Sequence, residues 1–295
     1  MVRYAASYQH EGDRTKGITY YVGGAGPIGH VGSMDVPAGL YDAGYLGFVE
    51  VFTWQGISHA GDQINLSRNR QKAAELAFRI RQYCRLFPDR SINIIALSAG
   101  TGVAAFALES LPDNVQVDNV VFLGCSLSSL YDLTEALEHI RGNLYVIYSP
   151  TDRILRDVVW YTGTVDRRSA AQGVAGLEGF RLPPQSGPDT RKLYEKLHNV
   201  PFRWDFAEMG YGGGHSGATS RPFVQWYIAP ALNGDGRRLL GEPPQAMPRE
   251  TAATQPAKAT TSAPAPAMAT PPAEGTAGQP AAAPTSRPTT AFAPS

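Results

Sequence analysis

Six short apolar runs, rich in β-branched and aromatic residues, recur along the chain with helical patterns between them. They are Ile18–Val22, Gly47–Phe52, Ile92–Leu97, Val117–Leu123, Leu144–Tyr148 and Phe202–Ala207. Continuous apolar runs of this length read as strands buried on both faces, and the stretches between them supply the crossovers that parallel strands need. The pattern predicts an α/β chain with a doubly wound, mostly parallel sheet. Ligands of such sheets bind at the rim beyond the carboxyl ends of the strands.

Between the second and third runs, Ala73, Leu76, Ile80 and Cys84 repeat every three or four residues while Arg68, Lys72, Glu75, Arg79 and Arg85 fill other positions. This is an amphipathic helix over residues 65–87, its charges a solvated face. A second helix, Thr101–Leu111, follows the third run without a break and stops before Pro112. Asp132 is placed to cap a third over residues 133–140. Ser220 with Pro222 begins a last one that carries the apolar residues 223–232. Residues 153–199, between the fifth and sixth runs, hold Gly163, Gly173, Gly176, Gly179, Pro183, Pro184, Gly187 and Pro188. They read as an irregular excursion, either a lid or a structural insertion.

Composition sets the limit of the folded part. From residue 241 onward the chain has 16 Ala, 12 Pro and 9 Thr, with Phe292 as its one aromatic residue. Such a segment buries too little to offset its ordering entropy. The expected organisation is a body over residues 1–237, with 153–199 as an insertion, and a disordered tail over 238–295 that serves as a linker or tether. Lys plus Arg equals Asp plus Glu at 26 each. That neutral balance argues against nucleic acid, which needs a cationic surface. Cys84 and Cys125 make neither a disulfide framework nor a zinc pattern, and no stretch has the length of a membrane span. The reading is a cytoplasmic chain, without cofactor or metal, acting on a small molecule.

The sharpest local signal is the run Ala96-Leu97-Ser98-Ala99-Gly100, a strand passing into a helix through small residues. A nucleophilic serine needs this tight turn, with small residues two before and two after it. The helix start behind it favours developing negative charge, and the Ala99 amide is available to an oxyanion. A serine also needs a base and an acid. Asp152 follows the fifth run directly, with Asp132 and Asp157 as rivals. His215 lies in the glycine-rich stretch Gly210–Gly217. Of the other histidines, His30 and His59 could line the same rim, whereas His10, His139 and His198 fit surface positions.

The first run ends in Gly23-Gly24-Ala25-Gly26-Pro27-Ile28-Gly29, which reads two ways. Gly24, Gly26 and Gly29 match a dinucleotide fingerprint with Glu50 as its acid, but Pro37 would interrupt the helix that such a site requires. The same turn can instead offer the Ala25 amide to an oxyanion.

Together these residues resemble the α/β-hydrolase superfamily over roughly residues 17–235. The resemblance implies a serine hydrolase, esterase-like or lipase-like, with Ser98 as nucleophile, His215 as general base, Asp152 orienting the imidazole, and the amides of Ala25 and Ala99 as oxyanion hole. An oxidoreductase built on Gly24–Gly29, or a hydrolase-fold protein that only binds, are the alternatives. Trp160, Tyr161, Phe180 and Tyr194 are candidates for an apolar substrate pocket.

Overall fold

The computed structural model describes residues 8–9, 12–56 and 65–242, so His10, His59 and the tail from 243 lie outside the described residues. Seven strands form one sheet: β1 Tyr8–Gln9, β2 Asp13–Val22, β3 Gly47–Phe52, β4 Ile92–Leu97, β5 Asn119–Leu123, β6 Leu144–Tyr148 and β7 Leu197–Pro201. Their order is β1-β3-β2-β4-β5-β6-β7. β1 runs antiparallel to β3, and every other pairing is parallel.

Side-chain alternation explains why the apolar runs are continuous. Ile18, Tyr20, Val22, Ile94, Ala96, Val120, Phe122, Leu144 and Val146 face one core. Tyr21, Val49, Val51, Ile95, Leu97, Val121, Leu123, Tyr145 and Ile147 face a second core on the other side. Successive strand residues point to opposite faces, so a sheet covered twice needs apolar residues at both parities. Helices α2 Leu66–Leu86, α3 Gly100–Glu109 and α4 Thr134–Glu138 contribute to the first core, and α1 Asp35–Asp42 with the helical run 221–232 to the second.

Asn65 caps α2 through its side chain, which accepts from the Arg68 amide at 3.0 Å. Helix α1 forms although Pro37 lies within it. Pro37 occupies the first turn, where an amide has no intrahelical acceptor to lose. Asp132 does not cap 133–140. Its Oδ1 accepts from the amide and hydroxyl of Thr134, the helix shrinks to Thr134–Glu138, and Ile140 pairs with Val117 instead.

The sixth expected strand is misplaced. Leu197–Pro201 forms the edge strand β7, while the expected run Phe202–Ala207 overlaps the helix Trp204–Glu208. An edge strand pairs on one side only, so polar His198 and Asn199 and a terminal Pro201 are tolerated there. The aromatic spacing of Phe202, Trp204 and Phe206 imitates a strand, yet only Phe206 is fully buried.

The excursion is more regular than its glycines suggest. It contains the helical segments Ile154–Val159, Trp160–Thr162, Ala170–Gln172, Ala175–Glu178 and Pro188–Tyr194. Leu155, Val159, Ala170 and Val174 form a small core of their own, with Leu177 against it. At its other end the body continues past residue 237. Helix Arg237–Leu240 buries Leu239, and Arg203 donates to the carbonyls of Arg238 and Leu239.

Candidate active site

Ser98 sits where β4 meets α3, with φ of 56°. A non-glycine residue in this left-handed region is strained, and such strain persists only where the surroundings enforce it. They do so here: the Ser98 amide donates to Leu123 O at 2.9 Å, and its carbonyl accepts from the amide and hydroxyl of Thr101 at 3.0 and 2.6 Å. A Cβ on Gly100 would lie 2.3 Å from Gly23 O and 2.5 Å from Val22 O. The small residue two positions after the serine is therefore required by the end of β2, which presses on the turn.

That contact brings the glycine loop to the serine. The Gly23 carbonyl accepts from Trp54 Nε1 at 2.8 Å and the Gly24 carbonyl from Gln55 Nε2 at 3.0 Å, while Arg68 holds the Trp54 carbonyl at 2.7 Å. Ala25 is fully buried beside this pinned backbone. Ala99 is the N-cap residue of α3, at the end of a helix whose first amides lack intrahelical acceptors.

Asp152 follows β6 and His215 lies in the loop after Trp204–Glu208. They meet directly: His215 Nδ1 is 2.7 Å from Asp152 Oδ2, with the side chains almost fully buried. The other carboxylate oxygen accepts from the Leu155 amide at 3.1 Å. With Nδ1 donating to the carboxylate, Nε2 is the free acceptor of the ring. It is buried and has no hydrogen-bond partner among the described residues.

Gly124 cradles the pair, a residue that inspection of the sequence missed. It has φ of 49°, and a Cβ there would lie 3.2 Å from His215 Nδ1 and 3.3 Å from Asp152 Oδ2. It directly follows Leu123, from which the Ser98 amide hangs, so the serine and the carboxylate–imidazole pair flank one strand end. The available signal was a lone glycine closing an apolar strand. A further link joins the acid and histidine loops: Ser149 Oγ is 2.8 Å from Thr151 Oγ1, which donates to Gly213 O at 3.4 Å. Tyr211 is buried against these groups. Its burial, and then the nearby Asp152 carboxylate, push its phenol well above the ordinary range.

The rivals occupy other environments. Asp132 is engaged by Thr134, and Asp157 is exposed on Ile154–Val159. His139 is buried with Nδ1 2.9 Å from Val115 O, rather than at the surface. His198 stacks on Tyr145 within β7, and His30 is exposed on the turn Gly26–His30. Glu50 is not at the rim: it is buried in mid-strand, with its two oxygens on Arg14 and Arg79. The segment after Gly29 is a turn leading to α1 at Asp35, not the unbroken helix of a dinucleotide site. Burial pushes the Cys125 thiol up to about 12, which keeps it protonated. Among the described residues, no group of three or more His, Cys, Asp and Glu side chains is placed to hold a metal ion, and no helix is long and apolar enough to cross a membrane. Of the four candidate pocket aromatics, Phe180 and Tyr194 belong to the first core, whereas Trp160 and Tyr161 are exposed.

No protein-family profile and no curated protein sequence matches the chain. Solved structures do show similarity. Lipase B of Aspergillus fumigatus is 15% identical with a TM-score of 0.44, over 75% of this chain and 53% of the lipase, so the chain spans about half the length of that protein. A predicted CIB-like hydrolase of Thermoplasma acidophilum is 17% identical with a TM-score of 0.40, over 77% of this chain and 91% of the other. An esterase of Pyrococcus furiosus is 11% identical with a TM-score of 0.43, over 77% and 81%. The chain itself shows a mostly parallel α/β sheet with one antiparallel edge strand, helices on both faces and a serine with left-handed backbone at a mid-sheet strand-to-helix turn.

Proposed function

We propose that the chain is a serine hydrolase that cleaves a carboxylic ester through an acyl-enzyme. The observation that supports this reading most is the buried Asp152–His215 pair, at 2.7 Å, which leaves Nε2 without a hydrogen-bond partner among the described residues and lies at the strand end from which the Ser98 amide hangs. In the reading, Nε2 accepts the Ser98 hydroxyl proton as Oγ bonds to the ester carbonyl carbon. Asp152 holds the ring in the required tautomer and stabilises the imidazolium. The amides of Ala25 and Ala99 stabilise the tetrahedral oxyanion. The carbon–oxygen bond of the leaving alcohol then breaks, and the alcohol takes the proton from His215. Water attacks the acyl-enzyme by the same route, with Nε2 again accepting the proton and returning it to Ser98.

Mutual burial serves this chemistry, because charge that develops on imidazole and oxyanion is stabilised more strongly where water is scarce. The even charge balance of the chain suits an uncharged reacting ester better than a polyanion. A fluorophosphonate probe tests the reading: wild-type protein is expected to label at Ser98, and Ser98→Ala to lose both labelling and hydrolysis of p-nitrophenyl esters. Labelling that survives Ser98→Ala, or wild-type protein that neither labels nor hydrolyses, overturns it.

A further inference from the structure

A cavity of about 710 Å³ opens in the excursion, apart from Ser98. That size suits a small molecule. None of Ser98, Asp152 and His215 lines it. Its floor is apolar, with Leu155 and Val174 fully buried and Leu177 beside them. Trp160 stands in the wall with 60% of its surface exposed. The polar part is one-sided in charge: Arg156, Arg168 and Arg181 face Glu178 as the only carboxylate of the lining.

Glu178 is already engaged, its Oε1 accepting from Arg181 Nη2 at 2.8 Å. Arg168 lies 3.5 Å from a carboxylate oxygen of Asp166, at ion-pair rather than hydrogen-bond distance, and the arginine is half exposed. Arg156 is exposed on Ile154–Val159. After these two pairings Arg156 is the guanidinium of the lining for which no carboxylate partner is found among the described residues. A buried apolar floor beneath exposed guanidinium groups is complementary to a molecule with a hydrocarbon chain and an anionic head.

We propose that this cavity binds a single-chain amphiphile with an anionic head, its chain on the floor of Leu155, Val174 and Leu177 and its head at Arg156 and Arg168. The site goes beyond the hydrolase reading and does not depend on Ser98. Carboxylate and phosphate heads share the chemistry, since both accept paired guanidinium donors.

The test follows tryptophan fluorescence while the full chain is titrated with decanoate, decyl phosphate, decan-1-ol and decyltrimethylammonium as monomers. Saturable binding of the anions is expected, with a signal that Trp160→Phe removes. Decan-1-ol and decyltrimethylammonium are expected to bind at least about tenfold more weakly, and octanoate about tenfold more weakly than decanoate because two methylenes leave the floor. Arg156→Gln/Arg168→Gln, at exposed positions, is expected to weaken the anions about tenfold, and Arg156→Lys/Arg168→Lys to retain most of the affinity. Tighter decanoate identifies a carboxylate ligand, tighter decyl phosphate a phosphate ligand. Equal binding of the cation, an unchanged Gln double variant at unchanged melting temperature, or binding to anionic vesicles without binding to any monomer overturns the proposal. The last result would assign the arginines to a membrane surface.

Discussion

The sheet and the excursion face the same problem, burial of apolar surface, and solve it on different scales. In the sheet, every residue of β4 and β5 is buried and both faces are covered by helices. In the excursion, four buried residues and Leu177 make the whole of a separate core, while Trp160 and Tyr161 remain outside it. The sheet therefore holds groups that must not move: Ser98 at the end of β4, Gly124 after β5 and Asp152 after β6. Leu155 joins the two regions, because its amide holds Asp152 while its side chain belongs to the excursion. Left-handed backbone at non-glycine residues occurs in both regions, at Ser98 and at the exposed Arg167 and Gln185 of the excursion, and what sets Ser98 apart is that it is buried and held by hydrogen bonds to the Leu123 carbonyl and from Thr101.

The largest expected effect is at the groups to which the proposed mechanism assigns the reaction. Ser98→Ala and His215→Ala should each lower kcat for p-nitrophenyl ester hydrolysis by about three orders of magnitude or more, with nearly unchanged melting temperature. Comparable loss from Arg156→Gln would break the division between the two regions. Next come the glycines that let backbones meet. Gly100→Ala should destabilise by several kcal/mol, roughly the scale of a severe core mutation, because its Cβ would meet carbonyl oxygens of β2 and the glycine loop. Gly124→Ala should reduce turnover more than stability, since its Cβ would crowd the Asp152–His215 pair. Parallel measurements of kcat and denaturant midpoint separate the two outcomes.

Core truncation sharpens the contrast. Phe122→Ala, in the sheet, should cost about 3–5 kcal/mol and shift global unfolding. Val159→Ala, in the excursion, should cost about 1–2 kcal/mol. Hydrogen exchange is expected to show that cost as faster local opening of residues 154–178, with β4 and β5 amides unaffected. A uniform change across both regions would show that they unfold as one unit.

The smallest effect concerns His198 at the edge strand. Burial lowers its imidazole below the ordinary value of 6.5. Between those two values the unfolded chain binds more protons than the folded one, so this residue's contribution to stability falls as pH drops below about 6.5 and levels off above it. Denaturation at pH 5.5 and 7.5 should show a shallower pH dependence for His198→Gln than for the wild type.

The sheet was legible where burial on both faces leaves no choice of residue. Ile92–Leu97 and Leu144–Tyr148 are strands with the bounds their composition suggests, and the α2 repeat marks its helix to within one residue at each end. The edge was not legible, because β7 carries His198 and Asn199 and lacks the apolar signature that covered strands show. Helix α1 was hidden by Pro37, whose effect depends on position within the helix rather than on its presence. At the site, Ser98, Asp152 and His215 stand out by the elements they terminate. Gly124, Thr151 and the pins Trp54 and Gln55 do not, because each acts through a contact between segments distant in sequence.

The left-handed backbone at Ser98 also bears on the history of the chain. Glycine reaches that conformation without the steric cost of a Cβ, so Ser98→Gly should relieve strain of about 1 kcal/mol in the folded state, partly offset by a more flexible unfolded chain. A lineage freed from any need for the hydroxyl would drift toward glycine or asparagine here, and its remaining sheet would tolerate the exchange. Serine at this turn thus carries a backbone cost that glycine would not.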